Sequence, residues 1–145
     1  MHVRDILRRK GSDVFTSHGA ITVHEVARIM TNRGIGSVLI VEQGELLGIM
    51  TERDVLRRVV AQAKDPGVTP IAEVMTRAPL FTVTPDTTLD ECRQLFSSRR
   101  IRHIPVLDAQ GALAGVVTSG DLLAAQLADK EATIEQLTAF VYDNR

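Results

Sequence analysis

The chain has 145 residues, enough for one ordinary domain or for two small ones that share a core. A formal net charge of −1 and 3% aromatic residues give no support to nucleic-acid binding, and a single cysteine excludes an internal disulfide or a multi-cysteine metal cluster. Although 44% of residues are hydrophobic, no apolar run approaches the ~18 residues that would span a bilayer. The opening Met1-His2-Val3-Arg4-Asp5 lacks the basic-then-apolar order of a signal peptide, so a cytoplasmic protein without membrane contact is expected.

In chain order, residues 3–9 read as a short helix and residues 13–16 as a short strand. Thr22-x-x-Glu25 is a capping-box sequence, and Val23, Val26, Ala27 and Met30 form the stripe of a half-buried helix. Val38-Leu39-Ile40-Val41 predicts a strand buried on both faces. The turn Gln43-Gly44 returns the chain as a strand over 46–50, and a helix starts at Thr51. Residues 63–67, rich in breakers, join this half to the second.

The second half repeats the first. Residues 71–75 predict a helix and 80–83 a strand. Thr88-x-x-Glu91 opens a helix striped by Leu89, Cys92 and Phe96. Strands over 104–107 and 113–117 come next, joined at Gln110-Gly111 with one extra residue near Ala109-Gln110. A helix starts at Thr118. Residues 121–142 look helical, with a break near Asp129 and a spaced stripe of Leu123, Leu127, Ile134, Leu137 and Val141. Phe15-Thr16 matches Phe81-Thr82, and Asp5-Ile6-Leu7 matches Glu73-Val74-Met75. The division is therefore 1–66, 67–130 and a C-terminal helical extension over 131–145. The fold class is mixed α/β (α+β): two α-β-α-β-β-α units packed around a pseudo-two-fold axis. Each half alone would be marginal, so the two should pack tightly.

One pattern carries chemistry. Gly48-Ile49-Met50-Thr51-Glu52-Arg53-Asp54 returns as Gly115-Val116-Val117-Thr118-Ser119-Gly120-Asp121. Thr and Asp at that spacing suit a helix cap, and a capping box alone would explain them. A cap explains less well why Gly stands three residues before each Thr. The same geometry can hold a nucleoside. A helix N-terminus suits phosphate, and a carboxylate there can accept two hydrogen bonds from a ribose cis-diol. Thr51, Asp54, Thr118 and Asp121 are thus candidate ribose ligands. Strand-edge backbone at Thr16 and Thr82 can read a base, with Ile35, Ile101, Ile49 and Val116 sandwiching the ring.

The double motif inside twin α-β-α-β-β-α units resembles a tandem pair of CBS domains (cystathionine β-synthase domains), a Bateman module. The likeness covers nearly residues 3–128 and is closest to small stand-alone bacterial CBS-pair proteins. Arg100-Ile101-Arg102-His103-Ile104-Pro105-Val106 and Asp5-Ile6-Leu7-Arg8-Arg9-Lys10-Gly11 share in it. The resemblance implies sensing rather than catalysis. It implies an adenosine ligand (AMP, ADP, ATP, NAD(H) or S-adenosylmethionine) in the cleft between the repeats, a homodimer, and a regulated partner protein. It points to Arg102 and His103 as phosphate-binding candidates, with Arg53 and Lys10 behind them. His103, with an ordinary pKa of ~6.5, is expected to gain charge as pH falls through that region. A purely structural interaction module and a nucleotide-processing enzyme are the competing readings. No Ser–His–Asp order, nucleophile pair or metal-ligand spacing favours the enzyme.

Overall fold

The computed structural model describes residues 1–11 and 14–143, with the backbone alone described over 140–143. Asp13 of the expected first strand and the side chain of Val141 lie outside the described residues. The elements run α1 (Val3–Lys10), β1 (Thr16–Ser17), α2 (Val23–Arg33), β2 (Ser37–Glu42) and β3 (Glu45–Thr51). A short α-turn, α3 (Glu52–Asp54), continues with π-helical spacing over Val55–Val60. The second half adds a 3₁₀ turn (Ile71–Glu73), β4 (Thr76–Arg77), α4 (Leu89–Arg99), β5 (His103–Leu107), β6 (Leu113–Thr118) and α5 (Ser119–Asp143).

Two sheets result. One has the order β1-β2-β3-β4, with β1 parallel to β2 and the rest antiparallel. The other is the β5-β6 hairpin. Val83 adds a parallel bridge to Val106, the counterpart of β1 beside β2. That single bridge is what remains of the strand expected over 80–83. Pro79 and Pro85 lack N–H groups and limit longer pairing there. The two hairpins differ as the extra residue requires. Gln43 and Gly44 both have positive φ in a two-residue turn. The second connection is longer, and Asp108 Oδ1 accepts from the Gln110 and Ala112 amides, each at 2.9 Å.

Each half is completed by the other. Val3 and Ile6 of α1 sit in one core with Cys92, Ile104, Val106, Val117 and Leu122. Ile71, Val74 and Met75 sit in the other core with Val26, Val38, Ile40 and Met50. The backbone repeats the exchange: the Val3 amide donates to Thr87 O (2.9 Å), and the Ile71 amide donates to Ile21 O (2.9 Å). Burying a side chain such as Val3 or Ile71 contributes about 1.5–3 kcal/mol. Neither half retains a full core without the other's leading segment.

This exchange explains the repeated glycine. A Cβ on Gly48 would lie 2.6 Å from Thr76 O and 2.8 Å from Met75 Sδ. A Cβ on Gly115 would lie 2.7 Å from Leu7 Cδ2. Both glycines admit the segment that crosses from the other half. Gly48→Ala meets backbone that cannot yield, whereas Gly115→Ala meets the end of a flexible side chain. Gly48→Ala should therefore destabilise by about 1–3 kcal/mol and Gly115→Ala by less. Urea midpoints of the two variants check the order.

One expectation about α5 is corrected. The helix runs unbroken through Asp129, because 121–143 contains neither Gly nor Pro and Thr133 Oγ1 bonds back to Asp129 O at 3.0 Å. On the helical segments that end the two halves, Val59 and Leu122 are buried in their own cores. The exposed apolar residues there are Leu56, Val60, Leu123 and Leu127, with Ile134 and Leu137 further along α5. No helix among the described residues is long and apolar enough to cross a membrane.

Candidate functional site

The strand–helix junctions carry the repeated motif. Asp54 is buried at the start of α3, and both halves of its capping box form. The Asp54 amide donates to Thr51 Oγ1 (3.2 Å) and the Thr51 amide donates to Asp54 Oδ2 (2.9 Å). Thr51 Oγ1 also donates to Oδ2 (3.1 Å), and Thr76 Oγ1 donates to Oδ1 (3.1 Å). Arg58 Nε stands 3.6 Å from Oδ1. A carboxylate has about four lone-pair sites, so roughly one remains. A cis-diol would take that site and displace one hydroxyl donor, exchanging like for like.

Asp54 opens into a cavity of about 290 Å³. Ile49, Thr51, Glu52 and Arg53 line it from the first half. Ile101, Arg102, His103 and Pro105 line it from the second, with Thr76, Phe81 and Arg100. The volume is near the lower end of the ~300–1,000 Å³ usual for small-molecule pockets. Its walls are apolar at Ile49, Ile101 and Phe81, and cationic at Arg53, Arg100 and Arg102. Arg53 Nη1 also donates to Arg100 O (3.0 Å), joining the halves across the mouth.

The helix end at Arg99-Arg100 is more structured than a solvated cap. Arg100 adopts the left-handed region (φ 52°), where the matching residue of the first half is Gly34 (φ 63°). Arg99 stacks 4.8 Å over the Phe81 ring, as Arg33 does over Phe15. Sequence reading singled out neither Phe81 nor Thr76 as a site residue. The matched Phe15 and Phe81, each with a matched arginine, were the available signal for the first. Thr76 sits in a two-residue strand too short to register in any periodicity.

The other candidates lie elsewhere. Asp121 repeats the cap, donating its amide to Thr118 Oγ1 (3.0 Å) and accepting from the Thr118 amide (2.9 Å). Lys10 does not line the 290 Å³ cavity. Its Nζ donates to Asp121 Oδ2 (2.6 Å) and to Val116 O (3.0 Å). A cavity of about 140 Å³ lies beside this pair. Ile35 lines an open groove with Met30 and Val55. Thr16 pairs with Leu39 in β1–β2, and Thr82 is exposed beside Phe81. Neither of these two threonines, nor Ile35, lines the 290 Å³ cavity.

His103 packs against Gly36, where an added Cβ would lie 3.0 Å from its Nε2. Burial holds its pKa below the ordinary value. Lys10 and Arg102 lower it further, against the opposing pull of Glu52 and Asp121. This corrects the expectation of titration near ~6.5: the ring is neutral at pH 7. With a depressed folded-state pKa, the unfolded chain binds the proton more readily. His103 thus contributes stability above ~6.5 that is lost as pH falls below it. Thermal melts at pH 7.5 and 5.5 should show a smaller acid loss in His103→Gln than in wild type. Burial also pushes the Cys92 thiol up to about 11, so it is an inert core residue. No cluster of three or more potential metal ligands occurs among the described residues.

The family model described as "CBS domain" matches residues 3–61 and 71–128. A mitochondrial CBS domain-containing protein of Arabidopsis thaliana, CBSX3, is 36% identical over 83% of this chain. The aligned part spans 60% of that relative's length. The structure of a protein with CBS domains from Burkholderia ambifaria superposes with a TM-score of 0.85 at 36% identity, covering 89% of this chain and 96% of that one. The CBS domain pair of protein MJ0100, solved with 5-methylthioadenosine and S-adenosyl-L-methionine, superposes with a TM-score of 0.76 at 32% identity. That match covers 86% of this chain and 98% of the other.

Proposed function

Because the chain belongs to the CBS domain family, as a tandem pair, we propose that it is a regulatory module that senses an adenosine ligand in the cleft between its halves. One observation carries the reading. A single 290 Å³ cavity brings the Asp54 carboxylate of one half against Arg102 and His103 of the other, between apolar walls. Asp54 and Thr51 would hold the ribose and Ile49 and Ile101 the base. Arg102, with Arg53 and His103, would meet the phosphate of AMP, ADP, ATP or NAD(H). The adenosine compounds bound to MJ0100 support the ligand class. Binding would shift the placement of the two halves, which already share each other's leading segments, and a partner protein would read that shift. The role is regulatory, with no catalytic step.

A homodimer is part of this proposal. Leu56, Val60, Leu123 and Leu127 are each more than half exposed on the helical segments that end the two halves. Such a face is covered when a second copy packs against it. Light scattering at micromolar concentration should give twice the chain mass; a monomer would refute the dimer.

The second reading is a ligand-free interaction module. It is favoured by the capping boxes at Thr51–Asp54 and Thr118–Asp121, which satisfy themselves without a ligand. Mass spectrometry of small molecules released by denaturing the purified protein separates the two. An adenosine compound at stoichiometric yield is expected. A panel of AMP, ATP, NAD(H) and S-adenosylmethionine in thermal-shift assays is the companion measurement. Ligand at ~100 times its Kd stabilises by about 2.7 kcal/mol. No released compound and no shift with any of the four would leave only the interaction module.

A further inference from the structure

We propose that Lys10 plugs the second, symmetry-related nucleoside position, so that each module holds one ligand, at the Asp54 cleft. This rests on the adenosine-sensing reading. The pseudo-two-fold repeat makes Asp54 and Asp121 equivalent, yet their surroundings are not. Counting on from the matched Leu7 and Met75, Lys10 occupies the place that Ala78 holds in the other half. Ala78 leads into Pro79, which lines the open cavity. Lys10 instead reaches inward.

Its ammonium engages two groups that a ligand would need. Asp121 Oδ2 is 2.6 Å away, and the strand carbonyl of Val116 is 3.0 Å away. Val116 matches Ile49, which lines the open cavity. The lysine and aspartate side chains are 29% and 21% exposed, so the pair is shielded from water more than a surface ion pair is.

Chemistry favours the plug over a ligand. A ribose hydroxyl is a neutral donor and would have to displace an ammonium from Asp121. The ammonium adds a charge–charge attraction to its hydrogen bond, which a neutral hydroxyl on the same carboxylate lacks. The displaced ammonium could follow a phosphate, but the facing segment would give it no help. The segment that matches Arg100-Ile101-Arg102 is Gly34-Ile35-Gly36, with no cation. The Asp54 carboxylate is held by the Thr51 amide and two hydroxyls, with Arg58 Nε 3.6 Å from Oδ1, and a diol need displace only one hydroxyl.

Isothermal calorimetry decides the matter, with AMP, ATP and S-adenosylmethionine as separate probes on wild type, Lys10→Met and Lys10→Gln. Wild type should bind one equivalent per chain. Either Lys10 variant should bind two, the second more weakly. Two equivalents in wild type would overturn the plug, and that measurement needs no variant to fold. One equivalent in wild type and in both folded variants would also overturn it, while leaving the adenosine reading standing. Absence of binding by every probe to every protein would overturn the adenosine reading and the plug together.

Discussion

Arg102→Ala is expected to weaken AMP binding by about 10–100-fold while changing adenosine binding by no more than about twofold. Only AMP carries the phosphate, and a charge-assisted hydrogen bond contributes about 1.5–3 kcal/mol. The geometry suits the task. Arg102 belongs to the second half but lines the cavity that Asp54 opens into from the first. Its backbone is anchored where the Ser119 amide donates to Arg102 O at 3.0 Å, so the guanidinium starts from a fixed point. A solvated arginine at a helix end would act differently. It would change both ligands by the same small factor, and salt would screen the effect within a Debye length of ~8–10 Å. Calorimetric titration of AMP and adenosine into wild type and variant, at two salt concentrations, separates the cases. Equal losses for both ligands would refute a phosphate role for Arg102.

The second large effect is expected at Asp54. Asp54→Asn should reduce adenosine-ligand affinity by about 10–100-fold and change stability little. Asp54→Ala should lose both. Asparagine keeps an oxygen for the Thr51 amide, now 2.9 Å from Oδ2, so the helix cap survives. It loses the charge that strengthens bonds to a diol. Alanine removes the acceptor of the Thr51 amide, the reciprocal half of the capping box, and leaves the Thr76 hydroxyl without its acceptor as well. Deoxyribose analogues should bind wild type poorly for the same reason. Urea denaturation beside calorimetry reads the two quantities independently. Unchanged affinity in Asp54→Asn would assign the residue to capping alone.

Much of this architecture is determined by local sequence. The cap at Thr22 and the capping box at Thr88, the stripes of α2 and α4 and the apolar runs of β2 and β5 each arise from one segment's own chemistry. The Gly-Thr-Asp repeat could be found because it is contiguous, and a repeat declares two halves before any contact is known. Its residues Ile49, Thr51 and Asp54 do line a cavity with Ile101, Arg102 and His103.

Other features depend on contacts between distant segments, which local sequence could not decide. That α1 completes the second half's core, and residues 71–75 the first's, rests on packing between segments far apart in the chain. Only that exchange gives Gly48 and Gly115 their reason, because the atoms a Cβ would strike belong to the crossing segments. β4 has two residues and no period of its own; it exists because β3 offers an edge beside it. The same holds for charge. Lys10 and Arg102 look alike in sequence, yet one ammonium is held by Asp121 and Val116 and the other cation borders an open cleft. His103 has an ordinary titration range as a residue and a lowered one in its place, because burial is a property of the assembled fold. Backbone preference and apolar periodicity act over a few residues and are written locally. Desolvation, ion pairing and steric exclusion depend on which surfaces meet, and the folded chain alone decides that.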